Sequence, residues 1–192
     1  EGLNTFCQYI AEREFETDFP SRRGPAQFIT GYMSLPKDQL EPIMTKGDAV
    51  ANVGSNAYAK AATGLNILRE TIMGKDLFDY SFKEYAKRWA FKHPTPADLF
   101  RTMEDASAID LDWFWRGWYF GTDPCDISLD SVKLYKSDAS ATAATNLYEL
   151  SFTNKGGLVM PVIVEWTFAD GTKETDRIPV NVWALNEKQF TK

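Results

Sequence analysis

The chain has 192 residues, 44% of them hydrophobic and 14% aromatic, which suits a folded, core-forming protein and excludes a disordered one. The formal charge is −6 and the densest short basic stretch is the pair Arg22-Arg23, which is no patch, so no nucleic-acid partner is expected. No apolar run approaches the roughly 20 residues of a membrane helix, so no membrane segment is expected.

In chain order, Glu1 to Phe15 reads as an amphipathic helix, with Leu3, Phe6, Cys7 and Ile10 on one side and Glu12, Arg13 and Glu16 opposite. Asp18 to Gly54 is broken by prolines and glycines, and only a short helix around Ala26 to Met33, opened by Pro25, is predicted there. The rest is a long loop of the kind that is functional or wraps another part of a protein. Ser55 is predicted to cap a helix through Ile67, Leu68 and Ile72 that stops at Gly74. Asp76 to Ala90 forms another helix, with Phe78, Phe82, Tyr85 and Trp89 as a core stripe. Thr95-Pro96-Ala97-Asp98 opens the next with a cap, a first-turn proline and a capping-box acid, and it ends near Ala106. Asp110 caps a last helix over Leu111 to Phe120, closed by Gly121. Its buried edge is predicted as Trp113, Phe114 and Trp118.

After Gly121-Thr122-Asp123-Pro124 the pattern changes from helical to alternating. Tyr148, Leu150 and Phe152 alternate in one strand, and Val162, Val164, Trp166 and Phe168 in the next. Asp170-Gly171 signals a hairpin, with Ile178, Val180 and Val182 returning antiparallel. Ser137 to Thr145, rich in Ala and Ser, reads as an exposed loop. The expected fold is α + β in two parts, an α-helical bundle over 1–122 and a small antiparallel β-sandwich over 123–192.

The chemistry is bounded by scarcity. With one histidine, His93, and two cysteines, this chain alone makes neither a Cys-rich zinc cluster nor a two-His metal site. A Ser-His-Asp triad remains only with His93 as base, and His93 sits in a loop between helices. Cys7 and Cys125 read as buried reduced thiols, with a bridge between them left open. The acidic pairs Glu104-Asp105 and Asp110-Asp112 lie at helix ends and caps, where carboxylates serve the helix dipole, rather than reading as a glycosidase pair. Trp113, Trp115 and Trp118 could stack on a sugar, but their helical spacing favours core. Tyr58, in the first turn of its helix, could donate a hydrogen bond to a developing oxyanion; the alternative is a buried tyrosine bonded to a backbone carbonyl.

Three segments carry a resemblance. Glu1-Gly2-Leu3-Asn4-Thr5-Phe6, Tyr58-Ala59-Lys60-Ala61, and the run from Asp98 through Met103-Glu104-Asp105-Ala106-Ser107 to Trp113-Phe114 and Trp118 resemble, in order and spacing, segments of the aminopeptidase-N-like zinc metallopeptidases (gluzincins), which include the leukotriene hydrolases. The resemblance implies the C-terminal half of a thermolysin-like catalytic domain followed by the start of a β-domain. It implies Glu1 as the third zinc ligand and Tyr58 as the catalytic tyrosine, with a peptide as substrate and zinc as cofactor of the intact parent. Ala61 stands where the family usually has Gly. The family's His-Glu-x-x-His and Gly-x-Met-Glu-Asn segments are absent from this sequence. The first residue is Glu rather than Met, so a processed or excised piece is expected, one that is metal-free and inactive without the missing N-terminal half of the catalytic domain; the compartment stays open. The competing expectation is a non-catalytic helical and β-sandwich interaction module, a degenerate relative of the peptidases.

Overall fold

The computed structural model describes residues 1–135 and 147–192, and the loop expected at Ser137 to Thr145 lies outside the described residues. The chain divides into two compact units, Glu1–Thr122 and Asp123–Lys192. The first is helical; the second holds two small antiparallel sheets.

In the first unit, α1 spans Gly2–Phe15 and buries Gly2, Thr5 and Phe6. Phe6 meets Phe78 and Phe82 edge-on, with ring centroids 5.3 and 5.6 Å away. Cys7 lies one residue, about 100° of helix turn, beyond Phe6, and this carries it off the packed face. It is exposed, as is Cys125, and both are free thiols, which corrects the expectation that they are buried. A 3₁₀ turn at Ala26–Phe28 leads into α2, Thr30–Met33.

A continuous helical run then covers Gly54–Lys60, Ala61–Ile67 (α3) and Leu68–Ile72, its first and last stretches π-helical. The Asn52 carbonyl accepts the amides of both Ser55 and Asn56, at 3.1 and 2.8 Å. The first turn is therefore already closed upstream of Ser55, which sits inside the helix and is not its cap. The run ends before Gly74, as the sequence reading has it.

α4, Lys75–Trp89, buries Phe78 fully, while Phe82, Tyr85 and Trp89 are only half-buried. α5, Pro96–Ser107, starts in a complete capping box: the Thr95 amide and hydroxyl both donate to the Asp98 carboxylate, each at 2.7 Å. These bonds hold the Asp98 carboxyl below the ordinary carboxylate range. α6, Asp112–Phe114, continues as a π turn over Trp115–Tyr119. Phe114, Trp115, Trp118 and Tyr119 are buried and Trp113 only partly so, which moves the buried edge by a residue from the one expected. A π turn advances by less angle per residue than an α turn, so α spacing misassigns the face. No described helix is long and apolar enough to cross a membrane.

In the second unit, β1 (Ile127–Tyr135) pairs antiparallel with β2 (Leu147–Asn154), and β2 pairs with β5 (Gln189–Thr191). β3 (Val162–Thr167) and β4 (Lys173–Ile178) form a separate hairpin. Its turn is the Asp170-Gly171 turn of the sequence reading, closed by the Phe168 amide on the Thr172 carbonyl at 2.9 Å. β4 ends at Ile178, so Val180 and Val182 do not continue the strand. Pro179 has no amide for the ladder, and Val180–Trp183 forms a 3₁₀ turn instead. That turn drives Trp183 into the core, where its indole N–H donates to the Met160 carbonyl at 2.8 Å and its ring meets Phe190 edge-on.

Candidate functional site

Gly2 fixes where α1 meets the Tyr58 helix. It is buried, and a Cβ there would collide with the Ala61 Cβ and lie 3.3 Å from the Ala57 carbonyl oxygen. Only glycine permits that approach, which packs the start of α1 against Ala57 and Ala61, on either side of Tyr58. Glu1 is exposed and its carbonyl closes the first turn of α1 by accepting the Thr5 amide at 2.9 Å.

Tyr58 sits in the π-helical stretch between two buried polar residues. Asn56 is fully buried, and its amide nitrogen donates to the carbonyls of Glu41 and Pro42 at 2.7 and 3.2 Å. Lys60 is 2% exposed and its ammonium donates to the Gly121 carbonyl at 2.8 Å. The same turn accepts two further bonds from the end of the unit: Trp118 indole N–H to the Lys60 carbonyl at 2.8 Å, and Tyr119 hydroxyl to the Ala61 carbonyl at 3.2 Å. Burial pushes the Tyr119 phenol well above the ordinary tyrosine range, so it donates at any working pH. Tyr58, two residues from each buried neighbour, is half-buried, and among the described residues its hydroxyl has no hydrogen-bond partner. The backbone around it is pinned while its own polar atom stays open. Stretches of π-helix recur at functional sites for this kind of re-aiming.

Glu1 offers one carboxylate, whereas a catalytic zinc takes three protein ligands. His93, the one imidazole, is exposed in the loop before α5. Among the described residues one acidic trio could hold a cation, Glu104, Asp110 and Asp112. Its donors are all oxygen, a set that suits magnesium or calcium better than zinc. Glu104 accepts the Leu111 amide at 2.9 Å and Asp110 the Asp112 amide at 3.0 Å, so two of the three shape the entry into α6. The donors among the described residues do not by themselves complete a zinc site.

The sequence reading assigned no part to three residues near Tyr58. Asn56 and Lys60 are recognisable only through partners 14 to 61 residues away. Arg23 was read as half of an insignificant basic pair, yet its guanidinium lies over the Tyr58 ring, 4.8 Å from the centroid. Comparison with known proteins finds no matching family model and no matching curated protein.

Proposed function

We propose that the chain is the C-terminal half of the catalytic domain of a zinc-dependent, aminopeptidase-like hydrolase, with the start of the β-domain that follows. One observation supports this reading: Gly2, the residue after Glu1, packs against Ala57 and Ala61, on either side of Tyr58, whose hydroxyl is unpartnered among the described residues. Glu1 and Tyr58 are the two residues to which the resemblance assigns chemistry. When a peptide carbonyl is attacked by water, its oxygen gains negative charge. Tyr58 donates its phenolic hydrogen to that oxygen from a backbone that Asn56, Lys60, Trp118 and Tyr119 hold fixed, so little reorganisation accompanies the reaction. Glu1 is the one ligand this chain contributes toward zinc, which when bound would activate the water. The resemblance puts the other ligands on a His-Glu-x-x-His segment that this sequence does not contain.

The test uses the product of the whole reading frame, with zinc and an aminoacyl-anilide substrate. Zinc-dependent hydrolysis is expected. Tyr58→Phe is expected to lower kcat by about a hundred- to a thousandfold with little change in KM. The 192-residue chain alone is expected to be inactive, and turnover by it would overturn the half-site argument. A whole protein that hydrolyses nothing would favour the second reading, a non-catalytic interaction module.

A further inference from the structure

We propose that Arg23, with Arg22 beside it, recognises a carboxylate next to Tyr58, so that the site selects peptides carrying a free acid; as a substrate preference this rests on the peptidase reading above.

The placement is built rather than incidental. The loop before α2 is pinned on both sides of the arginine pair. On one side Ser21 is buried, its hydroxyl donating to the Glu12 carboxylate at 2.5 Å and its amide to the Phe19 carbonyl at 2.7 Å. On the other, Gly24 lies against the Tyr9 ring at φ 110°, where a Cβ would stand 2.6 Å from the Tyr9 Cγ. The Gly24 carbonyl also accepts from the Asn66 amide at 3.4 Å. Two like charges are therefore displayed by a fixed backbone, an arrangement that gives the fold nothing by itself.

Neither arginine has an acidic partner among the described residues, and both are exposed. Arg69 and Arg88, by contrast, each take a carboxylate from a neighbouring helix. The Arg23 guanidinium carbon lies over the Tyr58 ring, 4.8 Å from its centroid. A guanidinium above a ring can still offer N–H groups to an acceptor, and a carboxylate matches their fork with two parallel bonds. The pair lines a hollow of about 440 Å³ along the α1 face of Thr5, Gln8, Tyr9 and Glu12. Glu12 also lines the hollow, its two oxygens accepting from Gln8, at 2.8 Å, and from Ser21, so the two guanidinium charges stand against this single carboxylate. A ligand whose acid group lies on Arg23 is held next to the Tyr58 ring, over which that guanidinium sits. The acid could be the C-terminus of a short peptide or an acidic side chain.

The first arm measures binding without turnover. The 192-residue chain, labelled at its arginine side chains, is titrated with trialanine, trialaninamide and alanyl-aspartyl-alaninamide while the Nε–H signals are followed. The Arg23 signal is expected to shift with a carboxylate-bearing peptide and not with trialaninamide, and the shift to vanish in Arg23→Gln. Response to trialanine identifies a chain terminus as the source, and response to the aspartyl peptide a side chain. No carboxylate-dependent shift, or one that survives in Arg23→Gln, overturns the proposal. The second arm compares kcat/KM of the whole protein on the same peptides. The preference for the acid over trialaninamide is expected to fall about ten- to a hundredfold in Arg23→Gln, the loss of a charge-assisted hydrogen bond. An equal loss on both peptides with a lowered Tm would show that Arg23 only braces the fold. Shifts without any hydrolysis would leave the carboxylate site standing and remove the peptidase reading.

Discussion

The two units are held together in different ways. In Glu1–Thr122 large apolar side chains from several helices are fully buried, among them Leu65, Leu68, Phe78, Met103, Leu111 and Phe114. Polar side chains add bonds across long stretches of sequence, from Trp118, Tyr119 and Lys60 onto the backbone of the Tyr58 helix and the final turn. Among the described residues of Asp123–Lys192 only Trp183 and Ile178 reach that degree of burial, and Leu134, Tyr135, Leu147 and Ile163 are more than half exposed. Its clasps of comparable kind, among the described residues, are Trp183 on Met160 and Asn154 on Glu187. A unit of this size rarely gains more than about 3–5 kcal/mol from its core. The first unit can hold the Tyr58 turn in place because it is cross-braced. The second has a smaller core, with Trp183 as its largest fully buried side chain.

That contrast predicts where each part breaks. The largest effect is expected from Trp183→Ala, which removes the central side chain of the smaller core at about 3–5 kcal/mol. The loss matches what such a unit has to spare, so residues 123–192 should unfold while the helical unit keeps its melting transition. Calorimetry resolves this, and a single transition lowered as a whole would break the comparison. Next comes Gly64→Ala. A Cβ at Gly64 would lie 2.5 Å from the Trp118 Nε1, so Trp118 would have to leave the Lys60 carbonyl. Overpacking of this kind costs about 1–3 kcal/mol. It should lower only the helical transition and, through the backbone around Tyr58, the kcat of the whole protein.

What could be read from the sequence divides along the same line, between local and distant causes. The Thr95–Asp98 capping box and the Asp170-Gly171 turn are closed by groups two to four residues apart, and both were legible. The helical first part and the antiparallel second part were legible as well, from periodicity. Ser55 was misread because its partner, Asn52, closes the turn one step earlier than the capping pattern suggests. Val180 and Val182 continue the alternation of β4, but Pro179 ends the ladder before them. Trp183, Lys60 and Arg23 were passed over for one reason. Each is defined by a partner more than 20 residues away, Met160, Gly121 and Tyr58 respectively, and composition carries no record of such pairings. The open Tyr58 hydroxyl was likewise invisible: sequence offers the residue, and only packing shows that nothing in the described structure engages it.

Two smaller effects sharpen the comparison within the helical unit. Tyr119→Phe removes one hydrogen bond to the Ala61 carbonyl and should cost about 1 kcal/mol in the helical transition alone. Its pH signature is distinctive. Because the folded phenol titrates above the unfolded one, the stability it carries is intact below about pH 10 and declines as pH rises beyond the unfolded value. Tyr119→Phe should therefore flatten the alkaline fall in Tm, and an unchanged alkaline limb would mean the phenol is not shielded.

The smallest effect concerns the one bidentate ion pair bracing α4 from the end of the Tyr58 helix. Arg69 donates from Nε and Nη2 to the two Asp79 oxygens, at 2.7 and 2.9 Å. Those hydrogen bonds, opposed by partial desolvation, hold the Asp79 carboxyl below its ordinary value. The Asp79 side chain is 39% exposed, so solvent screens the pair and its worth is about a few tenths of a kcal/mol. A depressed carboxyl gives stability that is present above the unfolded value near pH 3.9 and is lost as pH falls through the lower folded value. Asp79→Asn should thus lower the helical Tm by about 1–2 °C at neutral pH, with the gap to wild type closing between pH 4 and pH 2. If the gap persists at pH 2, the contribution comes from packing of the Arg69 stem rather than from charge. The cross-bracing of this unit would then be apolar at its edge as well as at its centre.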